Sequence, residues 1–290
     1  MKIEAQAKIN LALDVTGKRA DGYHLVRMVM QSIQLSDLLE IEKTKESGIR
    51  LQIIREQDSA ADSLPANPEN LAWKGAALLL GEFRPEGGVS MKLTKRIPVA
   101  AGLAGGSTDA AAAMIGVNKL FCLGLSGEEL AGRSAAIGAD VPFCIRKGTM
   151  LAEGIGEKLT GLPQMPDCTI LIAKPPVEVS TPHVYKELDK RKEIRHPDLD
   201  AMIRALEEAD LYKVASLMGN VLADVTESEL PEIIQIRRLM MEGGAIGAMM
   251  SGSGPSVFGI FSERDKAEKT AENPELLKIC RDIIATKPYN

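Results

Sequence analysis

A glycine-rich stretch near the middle of the chain has the residue types needed to bind an anion through its backbone. The segment 98–112 reads PVAAGLAGGSTDAAA, in which Gly102, Gly105 and Gly106 allow positive φ and close approach. Small side chains leave peptide N–H groups accessible, and Ser107 and Thr108 add hydroxyls that can contact phosphate oxygens. The spacing differs from GxxxxGK[ST] and from GxGxxG, so a tight strand-to-helix turn stays open as an alternative.

The elements on either side of this glycine loop are the ones that a phosphate site requires. Val89, Met91 and Leu93 alternate with polar residues, which predicts a strand leading into the loop. The alanine-rich run after Ser107 predicts a helix whose first turn contains Asp109 as a partner of the helix dipole. Because a helix N-terminus carries about half a positive elementary charge, the order strand, loop, helix favours phosphate binding.

The first residues of the chain predict a strand that carries two polar side chains of interest. Apolar residues occupy the odd positions from Ile3 to Val15, and Lys8 and Asn10 occupy even ones. This alternation indicates a half-buried strand with Lys8 and Asn10 on its polar face. The next segments are predicted as strands at 28–35, 38–42 and 49–54, a loop at 56–68 and a helix at 70–83.

The rest of the chain predicts mixed α and β structure. Ser126 and Glu129 form a capping box for a helix that ends near Gly138, with Asp140 just beyond it. Glycines and prolines at 161–166 suggest a boundary between domains 1–163 and 164–290. The later segments indicate a strand at 168–176, a helix opened by Thr181 and Pro182, three amphipathic helices within 198–242 and a hairpin at 245–261. We therefore expect a two-domain α+β protein.

Composition narrows the classes of function. The 290 residues are 45% hydrophobic and 26% charged, which is typical of a globular protein, and a net charge of −5 argues against a nucleic-acid partner. The four cysteines are scattered without a CxxC pair, which predicts reduced thiols rather than a zinc site or a disulfide framework. We see no signal-peptide pattern and no apolar run of about 18 residues, so we expect a cytoplasmic protein without a membrane partner.

Four blocks of sequence resemble those of the GHMP kinases, the superfamily of galactokinase, homoserine kinase and mevalonate kinase. The blocks are AKINLALDVTGKRADGYH (7–24), the glycine loop, GADVPF (138–143) and MMSGSGPSVFGIF (249–261). They occur in the family's order and span nearly the whole chain. The resemblance implies ATP and Mg²⁺, and an active site in the cleft between an N-terminal nucleotide-binding domain and a C-terminal α/β-sandwich domain.

The first block narrows the resemblance. It is similar to members that phosphorylate the 2-hydroxyl of a cytidine-diphosphate-linked methylerythritol in non-mevalonate isoprenoid synthesis. The resemblance implies that Lys8 and Asp140 are the catalytic pair. Lys8 would lie near the γ-phosphate, and Asp140 would accept or orient the hydroxyl proton, because phosphoryl transfer depends on positioning and on stabilising charge on the phosphoryl oxygens.

The same resemblance implies the remaining site residues. For the cytidine diphosphate substrate they are Asn10, Tyr23, His24, Asp140, Thr181 and Tyr185. For ATP they are Pro98, Val99, Ala100, Ala101, Gly102, Leu103, Ala104, Gly105, Gly106, Ser107 and Thr108, with Asn70 and Leu71 near the adenine. The SGSGPS motif at 251–256 would support the loop rather than perform chemistry. No acidic residue matches the family's metal ligand, so the protein ligands of Mg²⁺ are unassigned.

Two other functions fit parts of this pattern. Another small-molecule GHMP kinase, acting on homoserine or a mevalonate derivative, would share the loop but should lack the DGYH block. A non-catalytic nucleotide-binding protein that kept the fold should have lost a charged catalytic residue. Weak homodimerisation is a further expectation.

Overall fold

The computed structural model describes residues 1–55 and 64–290. These residues form two compact units, each made of separate segments. The first contains residues 1–7, 35–99 and 104–147, and the second contains 8–34, 100–103 and 148–290. The predicted boundary at 163/164 stays a prediction.

Within the residues that the structure describes, the first unit combines a small sheet with four helices. Strand β4 (Gly88–Lys95) pairs in parallel with β3 (Gly48–Arg55) and antiparallel with the second half of β2 (His24–Thr44). The buried face of β4 consists of Val89, Met91 and Leu93, as the alternation predicts. The helices are α1 (Leu71–Phe83), α2 (Gly105–Leu120), α3 (Gly127–Ser134) and α4 (Val141–Arg146).

The second unit contains two groups of paired strands. Residues 8–18 of the strand β1 (Lys2–Lys18) belong to this unit, and they pair in parallel with β8 (Gly219–Asn220). The first half of β2 pairs with β5 (Thr149–Gly154), which pairs with β6 (Lys158–Gly161). A separate antiparallel sheet has the order β11 (Asp282–Thr286), β7 (Thr169–Lys174), β10 (Val257–Phe261), β9 (Gly247–Met250).

Seven helices complete the second unit. They are α5 (Thr181–Leu188), α6 (Leu199–Glu207), α7 (Leu211–Ser216), α8 (Ala223–Glu229), α9 (Glu232–Glu242), α10 (Arg264–Ala271) and α11 (Pro274–Ile279). The helix opened by Thr181 and Pro182 is confirmed, as is the hairpin of β9 and β10. The expectation of three helices within 198–242 is wrong, because this segment contains four, separated by breaks at 208–210, at 217–222, where the chain forms β8, and at 230–231.

Other expectations are corrected in detail. The first strand forms, but its polar face is not open, because Gln6, Lys8 and Asn10 are all buried. One continuous β2 replaces two of the predicted strands, and the capping box of Ser126 and Glu129 opens a helix that ends at Ser134 rather than near Gly138. Residues 56–63 of the predicted loop lie outside the described residues. Among the described helices, none has both the length and the apolarity needed to cross a membrane.

Candidate active site

The first half of the glycine loop, residues 100–103, belongs to the second unit and has a strained backbone. Positive φ occurs at Ala100 (50°) and Gly102 (72°). A Cβ at Gly102 would lie 2.1 Å from the carbonyl oxygen of Ser251, and the Ser251 Oγ donates a 3.0 Å hydrogen bond to the carbonyl of Gly102. Glycine is therefore required at 102 by both conformation and contact.

The second half of the loop, residues 104–108, becomes the start of α2. Ala104 is the N-cap residue with φ of 57°, and its side chain cannot cap the helix. The first intrahelical hydrogen bond runs from the Thr108 N–H to the Ala104 carbonyl at 2.9 Å. Gly105 and Gly106 are helical, so these two do not use the positive φ that glycine allows. The backbone N–H groups of the first turn are thus placed to bind an anion, because a helix leaves them without intrahelical partners.

The residues predicted near the adenine lie at the start of α1. Asn70 is the N-cap residue, whose Oδ1 accepts from the Ala72 N–H at 2.9 Å and whose Nδ2 donates to the Pro65 carbonyl at 2.9 Å. The Leu71 Cδ1 lies 3.1 Å from the point that a Cβ on Gly106 would occupy. Leu71 therefore contacts the glycine loop, whereas the Asn70 side chain stabilises the helix start. Among the other loop residues, Pro98, Ala101, Leu103 and Thr108 are buried, and Val99 and Ser107 are half-buried.

Lys8 lies beside the first half of the glycine loop. Its N–H donates to the Leu103 carbonyl at 3.1 Å, and its Nζ donates to the Asn10 Oδ1 at 2.7 Å. The Lys8 Nζ is also 3.5 Å from the position of a Cβ on Gly252. The Asn10 Nδ2 in turn lies 3.2 Å from the Met28 sulfur. The second unit therefore brings Lys8 and Asn10 together next to residues 100–103.

The SGSGPS motif connects the loop with the region of Thr181. The Ser251 N–H donates to the Ser256 carbonyl at 2.9 Å, which closes the turn between β9 and β10. The Ser253 Oγ and the Thr181 Oγ1 are 2.7 Å apart. The prediction that this motif supports the loop is confirmed by the Ser251 contact with Gly102. Sequence reasoning missed Asn220, whose Nδ2 donates to the carbonyls of Met250 and Gly252 at 2.9 and 2.8 Å.

Two of the predicted aromatic residues meet in the second unit. The rings of His24 and Tyr185 stack with centroids 4.7 Å apart and an interplanar angle of 28°. The His24 Nε2 is 2.7 Å from the Asp189 Oδ1, and Lys18 donates to the other oxygen of the same carboxylate at 2.5 Å. The bonds from Lys18 and His24 lower the pKa of Asp189. Tyr23 does not join this group through any contact that we observe, and its side chain is 61% exposed.

Asp140 belongs to the first unit and stands at the N-cap position of α4. Its φ is −83° and its side chain makes no capping hydrogen bond, so the carboxylate is not used to close the helix start. The residue is half-buried. A carboxylate at this position is favoured by the helix dipole.

A buried ionic cluster below the glycine loop was not predicted. The Lys95 Nζ donates to the Asp109 Oδ2 at 2.6 Å and also to the Asp37 Oδ2. The expectation that Asp109 is only a dipole partner in the first helical turn is wrong, because Asp109 lies beyond that turn and pairs with Lys95. Burial alone would lower the pKa of Lys95, but the charges of Asp109 and Asp37 outweigh it and raise the pKa. Asp37 and Lys95 are 58 positions apart in the sequence, so no local pattern could reveal the pair.

The chemistry of the loop fits a triphosphate, whereas no protein site for its metal is apparent in the described ranges. Residues 1–55 and 64–290 contain no group of three or more histidine, cysteine or acidic side chains that could hold a metal ion. The loop itself offers small residues, unpaired helix N–H groups and hydroxyls, which suit phosphate oxygens. Magnesium commonly binds through substrate phosphates and keeps several waters, so this arrangement is compatible with Mg²⁺ carried by ATP.

Comparisons with known proteins identify the family of this chain. Residues 70–148 match the family model of the GHMP kinases N terminal domain, and residues 193–275 match that of the GHMP kinases C terminal. Both halves of the chain thus have the features of a GHMP kinase, which is a small-molecule kinase that uses ATP.

Close relatives narrow the family. A 4-diphosphocytidyl-2-C-methyl-D-erythritol kinase of Lachnospira eligens is 51% identical over 91% of this chain and 89% of its own, and one of Clostridium beijerinckii is 46% identical over 99% of both. A crystal structure of 4-(cytidine 5'-diphospho)-2C-methyl-D-erythritol kinase, 31% identical, superposes with a TM-score of 0.83 over 100% of both chains. The chain therefore belongs to the 4-diphosphocytidyl-2-C-methyl-D-erythritol kinase family of the GHMP kinases.

Proposed function

We propose that this enzyme transfers the γ-phosphoryl group of ATP to the 2-hydroxyl of 4-diphosphocytidyl-2-C-methyl-D-erythritol. The products are the 2-phosphate and ADP, and the step belongs to non-mevalonate isoprenoid precursor synthesis. The observation that carries the proposal is the position of Lys8, whose backbone binds Leu103 of the glycine loop and whose ammonium approaches Gly252. The names and full-length similarity of the relatives support the same substrate.

In this proposal the second half of the loop binds the phosphates of ATP. The N–H groups at the start of α2 donate to phosphate oxygens, with Ser107 and Thr108 contributing hydroxyls. Leu71, which lies against Gly106, gives the adenine an apolar contact. Mg²⁺ bound to the phosphates would neutralise part of their charge. Asn70 orients the start of α1 through its capping bond.

Lys8 and Asp140 are proposed as the catalytic residues. The Lys8 ammonium stabilises negative charge on the transferred phosphoryl group, and Asn10 orients that ammonium through a 2.7 Å hydrogen bond. Asp140 accepts a hydrogen bond from the 2-hydroxyl and orients it for attack. A loose transition state needs little early proton removal, so orientation is the larger part of this role.

The cytidine end of the substrate is proposed to bind beside the stacked rings of His24 and Tyr185. Aromatic stacking on a base contributes about 1–3 kcal/mol, and a histidine held by a carboxylate has a fixed ring orientation. Asp189 provides that support for His24. Tyr23, which is exposed next to His24, and Thr181, which is joined to Ser253, complete the proposed substrate site.

The experiment is an ADP-release assay with three acceptors. The purified enzyme receives ATP, Mg²⁺ and either 4-diphosphocytidyl-2-C-methyl-D-erythritol, homoserine or mevalonate. We expect turnover with the first acceptor that exceeds the other two by at least a hundredfold. Turnover with homoserine or mevalonate instead would favour another GHMP kinase activity. Absence of turnover with all three, with ATP still bound, would favour a non-catalytic nucleotide-binding protein.

Three further expectations stay predictions. The cytoplasmic location and the weak homodimer are tested by fractionation of the source cells and by analytical ultracentrifugation. The need for Mg²⁺ is tested by adding a chelator to the assay, which should abolish turnover until excess Mg²⁺ is restored.

A further inference from the structure

The buried cluster of Lys95, Asp37 and Asp109 connects the two flanks of the glycine loop. Lys95 ends β4, a few residues before the loop, and Asp109 lies in α2, just after it. The Lys95 Nζ lies 3.4 Å from the position of a Cβ on Gly105, the first residue of α2. The ammonium therefore sits directly against the start of the helix proposed to bind phosphate.

The two carboxylates are used very differently. Asp37 is fully buried, and its Oδ1 accepts from the N–H groups of Arg96 and Ile97 at 2.5 and 2.8 Å while its Oδ2 accepts from Lys95. Asp109 accepts from Lys95 through Oδ2, and its Oδ1 is buried without a hydrogen-bond partner. Because a buried charge is costly unless it is well hydrogen-bonded, Asp37 is the better site for the negative charge.

The charge balance of the cluster supports the same distinction. Two ionised carboxylates and one ammonium would leave a net negative charge beneath a loop that must attract a triphosphate. Burial raises the pKa of the Asp109 carboxyl, and the Asp37 charge adds to the rise while Lys95 opposes it. An uncharged Asp109 leaves an electrically balanced pair of Lys95 and Asp37.

We propose that Lys95 is a positioning residue for the glycine loop, anchored by Asp37, and that Asp109 serves as an acceptor that an uncharged amide can replace. Lys95 fixes the backbone before the loop through Asp37 and the helix after the loop through Asp109. It acts on ATP through the loop, so the phosphates lose their alignment when it is removed. This inference rests on the proposed function, because it concerns the same phosphate site.

The first test compares two lysines of β4. In Lys95→Met the ammonium of the cluster is lost. Lys92→Met is the matched control, since Lys92 lies on the exposed side of the same strand, where it pairs with Glu40 of β2. We expect Lys95→Met to lower kcat at saturating ATP at least thirtyfold, because misaligned phosphates react slowly even when bound. Lys92→Met should stay within twofold of wild type. A kcat of folded Lys95→Met within threefold of wild type would overturn the inference, because the bound phosphates would then still be aligned for transfer.

The second test separates the two carboxylates and does not depend on Lys95→Met folding. Asp109→Asn should keep kcat within threefold of wild type, because the amide oxygen still accepts from Lys95. Asp37→Asn should lose activity at least tenfold, because one amide group cannot accept from both the ammonium and two backbone N–H groups. Thermal unfolding of each variant identifies a loss caused by unfolding. A tenfold or larger loss in a folded Asp109→Asn enzyme would contradict the inference.

A measurement of ADP binding separates a failure of this inference from a failure of the proposed function. If wild type does not phosphorylate the cytidine substrate, the proposed acceptor is wrong, but calorimetry with ADP still reports on the loop. The folded Lys95→Met protein should then bind ADP at least tenfold more weakly than the folded Lys92→Met protein. Equal affinities would refute the positioning role.

Discussion

The two halves of the glycine loop use glycine for different physical reasons. In residues 100–103, Gly102 has positive φ and approaches the Ser251 backbone, which cannot move without disturbing the hairpin turn. In residues 104–108, Gly105 and Gly106 are helical, and a Cβ there would meet only side chains: Ile97 and Lys95 at Gly105, and Leu71 at Gly106. Positive φ in the second half falls on Ala104 instead. Glycine count alone therefore does not show which position is indispensable.

The largest effect in this comparison is expected for Gly102→Ala. The methyl group would collide with a backbone oxygen 2.1 Å away at a φ that alanine rarely adopts. We expect a loss of about 3 kcal/mol or more in the free energy of unfolding and a roughly hundredfold loss of kcat/KM for ATP. Chemical denaturation and initial-rate kinetics measure these effects.

The matched control is Gly132→Ala. Gly132 lies within α3, and a Cβ there has open space around it. This variant should be as stable as wild type or more stable by about 0.5–1 kcal/mol, because alanine is the better helix former. Equal stability of Gly102→Ala and Gly132→Ala would show that glycine is not required at position 102. The distinction between the two halves of the loop would then not hold.

A smaller and more selective effect is expected for Gly106→Ala. The Leu71 side chain can shift to accommodate the methyl group, so the free energy of unfolding should change by less than about 1 kcal/mol. The methyl would nevertheless obstruct the close approach of phosphate to the backbone, and we expect KM for ATP to rise about tenfold, equivalent to about 1.4 kcal/mol. A large loss of stability with unchanged KM would mean that this glycine serves packing rather than nucleotide binding.

The smallest effect is expected for Ala104→Gly. Glycine relieves the cost of positive φ, about 1–2 kcal/mol for an L-residue, but it also adds about 0.4–1 kcal/mol of conformational entropy to the unfolded chain. These contributions largely offset each other, so the midpoint of thermal unfolding should rise slightly or stay unchanged. A clear fall in that midpoint would show that the Ala104 methyl makes a packing contact that the comparison neglects.

The sequence predicts local features better than long-range ones. The strand before the loop, the helix after it and the capping box at Ser126 follow from periodicity and from side-chain chemistry over a few residues, and they are confirmed. The sequence alternation also predicts β1, but alternation cannot show that other elements cover its polar face and bury Gln6 and Lys8.

The sequence predicts individual site residues but not the contacts between them. The family resemblance implies His24 and Tyr185 as separate candidates, and the structure adds their stacking and the support from Asp189. The pairing of Lys95 with Asp37 depends on how β2 and β4 align, which no short motif encodes. Buried polar clusters of this kind need tertiary structure because each member alone resembles an ordinary surface residue.

The most direct test of the catalytic proposal is the kcat of Lys8→Ala and of Asp140→Ala with saturating ATP and 4-diphosphocytidyl-2-C-methyl-D-erythritol. Removing a single group that stabilises developing charge typically costs about 10²–10³ in kcat. We expect each folded variant to lose at least about a hundredfold, with the affinity for ADP little changed because both groups act at the transferred phosphoryl. If either variant turns over within a few-fold of wild type, that residue is not catalytic and the proposed site is wrong.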